Sequence, residues 1–175
     1  MGTVKCIDLT YVNVGEIYDL SQMFNCCYNV ERIILPEKLD ISHAKNMDGM
    51  FNNCRGLRHL RLPHDLDTNN IRTMSYLFYG CNNLKEIILS DNFSTSNVVE
   101  MNQAFYDCSS LERLVIPVKF RLKHIEQCVK LFEKCNKLVK LEFRGGNRDE
   151  DFIAVFNNTL DGNKEDVRLR YKSID

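Results

Sequence analysis

Residues 82–116 read NNLKEIILSDNFSTSNVVEMNQAFYDCSSLERLVI. Phe105 is followed three residues later by Cys108, and then by Leu111 and Leu114. The same order recurs along the chain. Phe24, Phe51, Phe78, Phe105 and Phe132 stand 27 residues apart, and so do Cys27, Cys54, Cys81, Cys108 and Cys135. Further columns keep the beat: Met23, Met50, Leu77, Ala104 and Leu131; Leu20, Met47, Met74, Met101 and Cys128; Ile17, Ala44, Ile71, Val98 and Ile125; Val12, Leu39, Leu66, Phe93 and Phe120. Val30, Leu57, Leu84, Leu111 and Leu138 close each copy. Five copies in register without an insertion are the signature of a repeat architecture.

Two shorter periods alternate inside each copy. Ile87 and Leu89 have the two-residue spacing of a strand. Ile71, Met74, Leu77, Phe78 and Cys81 share one face of a short helix, and Thr68, Asn69 and Asn70 ahead of it suit its N-cap. Ser94, Thr95, Ser96 and Asn97 stand in the same place one copy later. Pro36, Pro63 and Pro117 end strands, since proline has no ladder donor. The single strand and single helix of one copy cannot bury their own apolar face, but stacked copies can. The expected fold is therefore α/β: a right-handed solenoid with a parallel sheet of about seven short strands on one side and short helices on the other. It forms one domain over residues 1–175. Residues 1–16 supply an N-terminal cap strand at Cys6-Ile7-Asp8-Leu9, and residues 17–143 the five repeats. Residues 144–175 supply a capping helix at Asp151–Leu160 and a strand at Val167-Arg168-Leu169, in which Val167 and Leu169 take the places of Leu141 and Phe143.

The composition is that of a globular domain: 44% hydrophobic, 27% charged, net charge −1. No global field draws it to nucleic acid or anionic lipid. No apolar run is long enough to span a bilayer. The N-terminal stretch lacks a basic region followed by an apolar one, so a cytoplasmic location is expected; surface exposure follows only for a piece of a longer, exported chain. Of eight cysteines, five occupy one recurring inward column, where a free thiol serves as a small hydrophobe. No C-x-x-C pair favours zinc.

Two stretches, LDTNNIRTMSYLFYGCNNLKEIIL (66–89) and FSTSNVVEMNQAFYDCSSLERLVI (93–116), resemble the BspA-type leucine-rich repeats of bacterial and mycoplasmal surface proteins. The shared unit is F-D-T-S-N-V-x-x-M-x-x-M-F-x-x-C-x-x-L-x-x-L-x-L. The likeness spans about residues 12–143 and is loosest at 120–143, where RLKHIEQC replaces the D-T-S-N-V-x-x-M part. The resemblance implies a leucine-rich-repeat solenoid that binds proteins, with no catalytic residues to carry over.

Function must then lie in the outward positions. On the strands these are two rows: Arg32, His59, Glu86, Arg113 and Lys140; and Ile34, Arg61, Ile88, Val115 and Glu142, continued by Arg168. This face is basic with apolar islands and suits an acidic protein surface. A secondary candidate is Tyr76, Tyr79 and Tyr106 at outward helical positions, since exposed tyrosines anchor interfaces; lateral packing between neighbouring helices is the ordinary reading. Charge is uneven along the axis. Residues 8–50 hold seven acids against three bases, and residues 119–144 hold eight bases against three acids. Lys130, Lys134 and Lys137 in the basic repeat are candidate phosphate contacts, although the aromatic interleaving of single-strand binders is missing.

No H-E-x-x-H, G-x-S-x-G, phosphate-binding glycine loop or dinucleotide fingerprint is present. His59, His64 and Asp65 gather near one strand end, where a solvated surface cluster is the ordinary reading. The chain is read as non-enzymatic, without cofactor or metal. It is a protein-binding module, adaptor or steric inhibitor, gripping an acidic partner through its strand face and not a membrane. The alternatives are a phage- or pathogen-encoded, anti-CRISPR-like inhibitor of a nucleic-acid-dependent host-defence enzyme, which would meet nucleic acid through the basic last repeat, and a fragment of a surface adhesin.

Overall fold

The computed structural model describes residues 3–13, 15–145 and 154, and the backbone of Arg168–Lys172. The chain winds as a parallel solenoid. Each coil contributes one short strand: β1 (Cys6–Asp8), β2 (Arg32–Ile34), β3 (His59–Arg61), β4 (Glu86–Ile88), β5 (Arg113–Ile116), β6 (Lys140–Arg144) and β7 (Arg168–Lys172). Consecutive strands pair in parallel, but not as one sheet. β1 to β3 form a three-stranded sheet and β4 to β7 a four-stranded one, with the ladder broken between β3 and β4. A second, thinner ladder runs along another side of the coils through single-residue bridges joining Asn46, Thr73, Glu100 and Gln127.

The expected short helices do not form. Between strands the chain makes overlapping turns whose amide hydrogens point alternately inside the coil and across to the next one. In the first coil, Met23, Asn25 and Cys27 donate back to the carbonyls of Leu20, Gln22 and Phe24. The intervening Gln22, Phe24 and Cys26 donate to Asp48, Met50 and Asn52 of the following coil, each at 2.8 Å. The alternation requires two left-handed residues per coil, four apart. Gln22, Gly49, Tyr76, Gln103 and Lys130 fill one column and Cys26, Asn53, Gly80, Asp107 and Lys134 the other, all with φ between 54° and 67°. An α-helix would turn every amide back into its own segment; these left-handed residues send half of them sideways.

Four of the residues expected to cap helices, Thr68, Asn70, Thr95 and Asn97, are rungs between coils instead. Thr68 Oγ1 donates to Ser94 O at 2.8 Å and accepts from Ser94 N at 2.7 Å. Thr95 repeats the exchange with Arg121. Asn70 and Asn97 donate from Nδ2 to the carbonyls of Ser42 and Asn69.

The core explains the Phe-x-x-Cys pattern. Phe24, Phe51, Phe78, Phe105 and Phe132 form a continuous file of rings with neighbouring centroids 5.1 to 5.5 Å apart. Offset or edge contacts at such separations add about 0.5–1.5 kcal/mol each beyond simple burial. Each cysteine then closes its coil onto the one before. The thiols of Cys54, Cys81, Cys108 and Cys135 donate to the carbonyls of Phe24, Phe51, Phe78 and Phe105 at 3.0 to 3.2 Å. Cys27 belongs to the first repeat and is only half-buried, so the inward column is complete from the second copy onward. All eight cysteines are free. Burial pushes the Cys54 thiol up to about 12, and those of Cys81 and Cys108 well above the ordinary thiol range, the latter chiefly through its contact with Cys135.

The ends depart from expectation in two ways. Val12 and Met23, assigned to inward columns, are exposed in the first coil. At the other end β7 pairs with β6 so that Leu141 faces Leu169, not Val167, and Phe143 faces Tyr171, not Leu169. The helix expected at Asp151–Leu160 lies outside the described residues apart from Ala154.

Candidate functional site

A concavity lies at the break in the ladder. β2, β3, β5 and β6 are each tied to the preceding strand by a pair of amides at the strand's entrance. Arg58 and His59 both donate to Glu31 O, and Glu112 and Arg113 both donate to Lys85 O. Lys85 and Glu86 make no such bond to Arg58 O among the described residues. Two features of the side chains at the break disfavour pairing there. β3 is His-Leu-Arg and carries no β-branched residue, unlike the Ile-Ile strands on either side, so it fits a pleated surface least well. Arg58 and Lys85 enter equivalent positions of adjacent strands, and directly opposed like charges disfavour pairing.

The groove has a volume of about 1040 Å3 and runs across β2, β3 and β4. Its floor is apolar: Leu60 and Leu62 are only partly buried, and Ile88 is 43% exposed. Its walls are basic. Both acids that line it are held in ion pairs, Glu86 with Arg113 and Asp91 with Arg144 at 2.7 Å. Arg32, Arg58, Arg61 and Lys85 are exposed along it and have no acid within ion-pair distance among the described residues. Arg58 does lie close enough to Glu31 to help hold that carboxyl below its usual range, after the larger effect of the hydrogen bond from Lys5. His59 and His64 complete the lining.

The expected binding residues therefore divide at the break. Arg32, Ile34, His59, Arg61, Glu86 and Ile88 all line the groove. The partners expected on β5 and β6 do not form an open face. Val115 is 0% exposed and Glu142 2% exposed, so the two-residue alternation does not deliver either to solvent. Arg113 is clamped between Glu86 and Glu142, reaching the latter at 3.2 Å, and Lys140 reaches Glu142 at 3.5 Å. This Glu86–Arg113–Glu142–Lys140 chain ties β4, β5 and β6 together. Arg168 stands opposite Lys140 in β7. Arg58, Lys85 and Arg144 are the groove cations that the outward rows missed. The first two sit one residue ahead of the strand, in the column Glu31, Arg58, Lys85, Glu112, whose like-charged central pair was the available signal.

The secondary candidates occupy the turn side. Tyr79 and Tyr106 stack at 5.0 Å, and the Lys134 ammonium lies 5.0 Å from the centre of the Tyr106 ring. Tyr76 meets Tyr79 edge-on and is 42% exposed. Of the lysines considered for phosphate, Lys130 pairs with Glu133 at 3.6 Å, Lys134 is engaged with Tyr106, and Lys137 is exposed. His43 stacks on Tyr18 at 5.3 Å. Among the described residues no group of three or more His, Cys, Asp or Glu is placed to hold a metal ion, and no helix is long and apolar enough to cross a membrane.

The chain matches the BspA type leucine-rich repeat region in six copies, over residues 5–99 and 48–159. It belongs to that family. No curated protein and no solved structure matches it. BspA-type repeats form a repeat solenoid, a scaffold that is in general non-catalytic and suited to protein interaction. In this member the scaffold is regular on its turn side and interrupted on its strand side, at the groove.

Proposed function

We propose that this BspA-type repeat protein binds an acidic partner protein through its basic strand face, centred on the groove across β2, β3 and β4, and serves as an adaptor or a steric inhibitor of that partner. The observation that carries this reading is the set of four cations, Arg32, Arg58, Arg61 and Lys85, lined up over an apolar floor while both acids of the groove are already paired. Exposed arginines beside aliphatic surface are the side chains that interfaces favour. The β5–β6 part of the strand face contributes rigidity, because its charges are satisfied internally.

The test is quantitative capture from the source cell, with the wild-type chain, the Arg32→Glu/Arg61→Glu variant and the Lys123→Glu variant as parallel baits. A partner retained by wild type and Lys123→Glu but depleted at least tenfold by the groove variant supports the proposal. A partner held equally by all three baits removes the strand face from its binding.

A further inference from the structure

The groove narrows the chemistry of its ligand beyond an acidic protein. We infer that the break between β3 and β4 is a recognition notch for an extended acidic segment, one whose aliphatic side chain seats on Leu60, Leu62 and Ile88 while flanking carboxylates reach Arg58, Arg61 and Lys85. The inference rests on the functional reading above and adds the form of the ligand.

Three observations carry it. The first is the width of the break. Some Cα atoms of β3 and β4 remain within 8 Å of each other. An inserted strand would need roughly 9.6 Å between its neighbours, twice the usual spacing. The segment therefore lies over the notch and does not pair as an additional strand; only side chains enter. The second is the floor. Leu60 holds the position that Ile33 and Ile87 occupy in the adjacent strands, yet those two are buried and Leu60 is only partly so. The opened ladder uncovers apolar surface that a closed one would hide, and an aliphatic group can cover it. The third is the arrangement of charge. Arg58 and Lys85 stand on the two sides of the break, and Arg61 follows on β3, so cations flank the uncovered floor. A segment crossing from β2 to β4 traverses about 12–13 Å, which at roughly 3.3 Å per residue is a stretch of about four residues. One apolar residue with acids on both sides fits that length.

The experiment uses the full chain and fluorescein-labelled pentapeptides measured by fluorescence anisotropy at two salt concentrations. The probes are Asp-Glu-Leu-Glu-Asp, its amide counterpart Asn-Gln-Leu-Gln-Asn, its polar-centred counterpart Asp-Glu-Ser-Glu-Asp, and a short single-stranded oligonucleotide of equal charge. The leucine-centred acidic peptide is expected to bind at least tenfold more tightly than the amide peptide and several-fold more tightly than the serine peptide, and to weaken as salt rises. Arg61→Glu leaves the like charges Arg58 and Lys85 on the two sides of the break, and faces only Ile34 on β2, but should reduce binding at least tenfold. Lys123→Glu should leave binding unchanged. Equal binding of the leucine and serine peptides, equal binding of the oligonucleotide, or no binding of any acidic peptide would overturn the notch. If a captured partner is lost with Arg32→Glu/Arg61→Glu while the peptide does not bind, the broader function stands and the notch alone fails. If neither depends on the groove, both fail.

Discussion

Replacing Phe78 with alanine probes the stacked-coil architecture directly. Phe78 is fully buried and lies between two rings, Phe51 at 5.3 Å and Phe105 at 5.5 Å. Phe24 heads the same file, is 5% exposed, and has a single ring neighbour, Phe51 at 5.5 Å. Deleting a buried phenylalanine side chain costs about 3–5 kcal/mol, depending on how far the site collapses. A second ring contact adds about 0.5–1.5 kcal/mol. Phe78 is held by coils on both sides and collapses little, so Phe78→Ala should cost about 5 kcal/mol, the upper end of that range. Phe24→Ala, at an open end, should cost about 3 kcal/mol, the lower end. With a urea slope on the order of 2–3 kcal/mol/M, the unfolding midpoints should fall by about 2 M and about 1 M. In a solenoid each coil contacts only its neighbours, so damage in the middle also uncouples the halves. The Phe78→Ala transition should therefore broaden when followed by circular dichroism, whereas that of Phe24→Ala should keep its slope. Equal costs at the two positions, or a cost at Phe78 no larger than the about 1 kcal/mol of a typical point substitution, would refute the ring file as the spine of the fold.

Four further outcomes follow. At neutral pH a thiol reagent should label Cys6 and Cys26 in the folded chain, and Cys54, Cys81, Cys108 and Cys135 only after denaturation. Because burial raises the folded Cys54 thiol from 9.0 to about 12, its contribution to stability is complete below pH 9 and is lost as pH climbs toward 12; Cys54→Ala should flatten the alkaline fall in unfolding free energy, followed by urea titration, which has a slope of about 1.4 kcal/mol per pH unit per thiol. A Cβ added at Gly56 would lie 2.6 Å from the Tyr28 carbonyl oxygen, so Gly56→Ala should cost about 2–3 kcal/mol in a thermal melt as the two coils are forced apart. Arg113→Gln leaves the buried Glu142 with the weaker partner Lys140, and should lower stability by about 2–4 kcal/mol in urea titration without any partner present.

The inward columns were legible because five exact copies of one beat admit only stacked burial. The shape of the segment between strands was not legible in the same way. Apolar residues at i and i+3 satisfy a helix and a run of overlapping turns equally, and the two separate only at the left-handed positions. Gly49, Gly80 and Asn53 mark those columns, but Tyr76 and Lys130 mask them, since neither residue type favours φ near 60°. Thr68 and Asn70 resemble caps for the same reason: a short polar side chain beside a turn can serve an amide of its own coil or a carbonyl of the next. On the strands, alternation places Ile34, Arg61 and Ile88 correctly along the groove, yet it says nothing of what covers a sheet, and so it sends the buried Val115 and Glu142 to solvent. Pairing Leu141 with Val167 or with Leu169 preserves the same parity, which is why alternation could not choose the register of β7.

The turn ladder also explains how a repeat this regular tolerates a break where its partner is proposed to bind. At the level of β3 and β4 the coils remain joined on the turn side: Met47 N donates to Thr73 O, Phe51 N to Leu77 O and Asn53 N to Tyr79 O in the coil that carries β4. Their rings stack, and Cys81 donates to Phe51 O. The strand-side bonds between β3 and β4 are missing, each worth on the order of 1 kcal/mol net, and Arg58, Lys85 and Glu86 are exposed, so water can replace the partner there. The loss is small beside a full coil's buried columns. Opening the strand side therefore leaves the stack intact, and the side chains that flank the opening, Arg58 and Lys85 above all, belong to no core column. Lys85→Gln would remove one of the opposed cations without setting a second acid beside Glu112. It should draw β4 onto β3, restore amide protection at residues 85 and 86 in hydrogen exchange, and shrink the groove without weakening the fold. Unchanged exchange at both amides would mean that charge does not hold the ladder open, and would leave the composition of β3 as its cause.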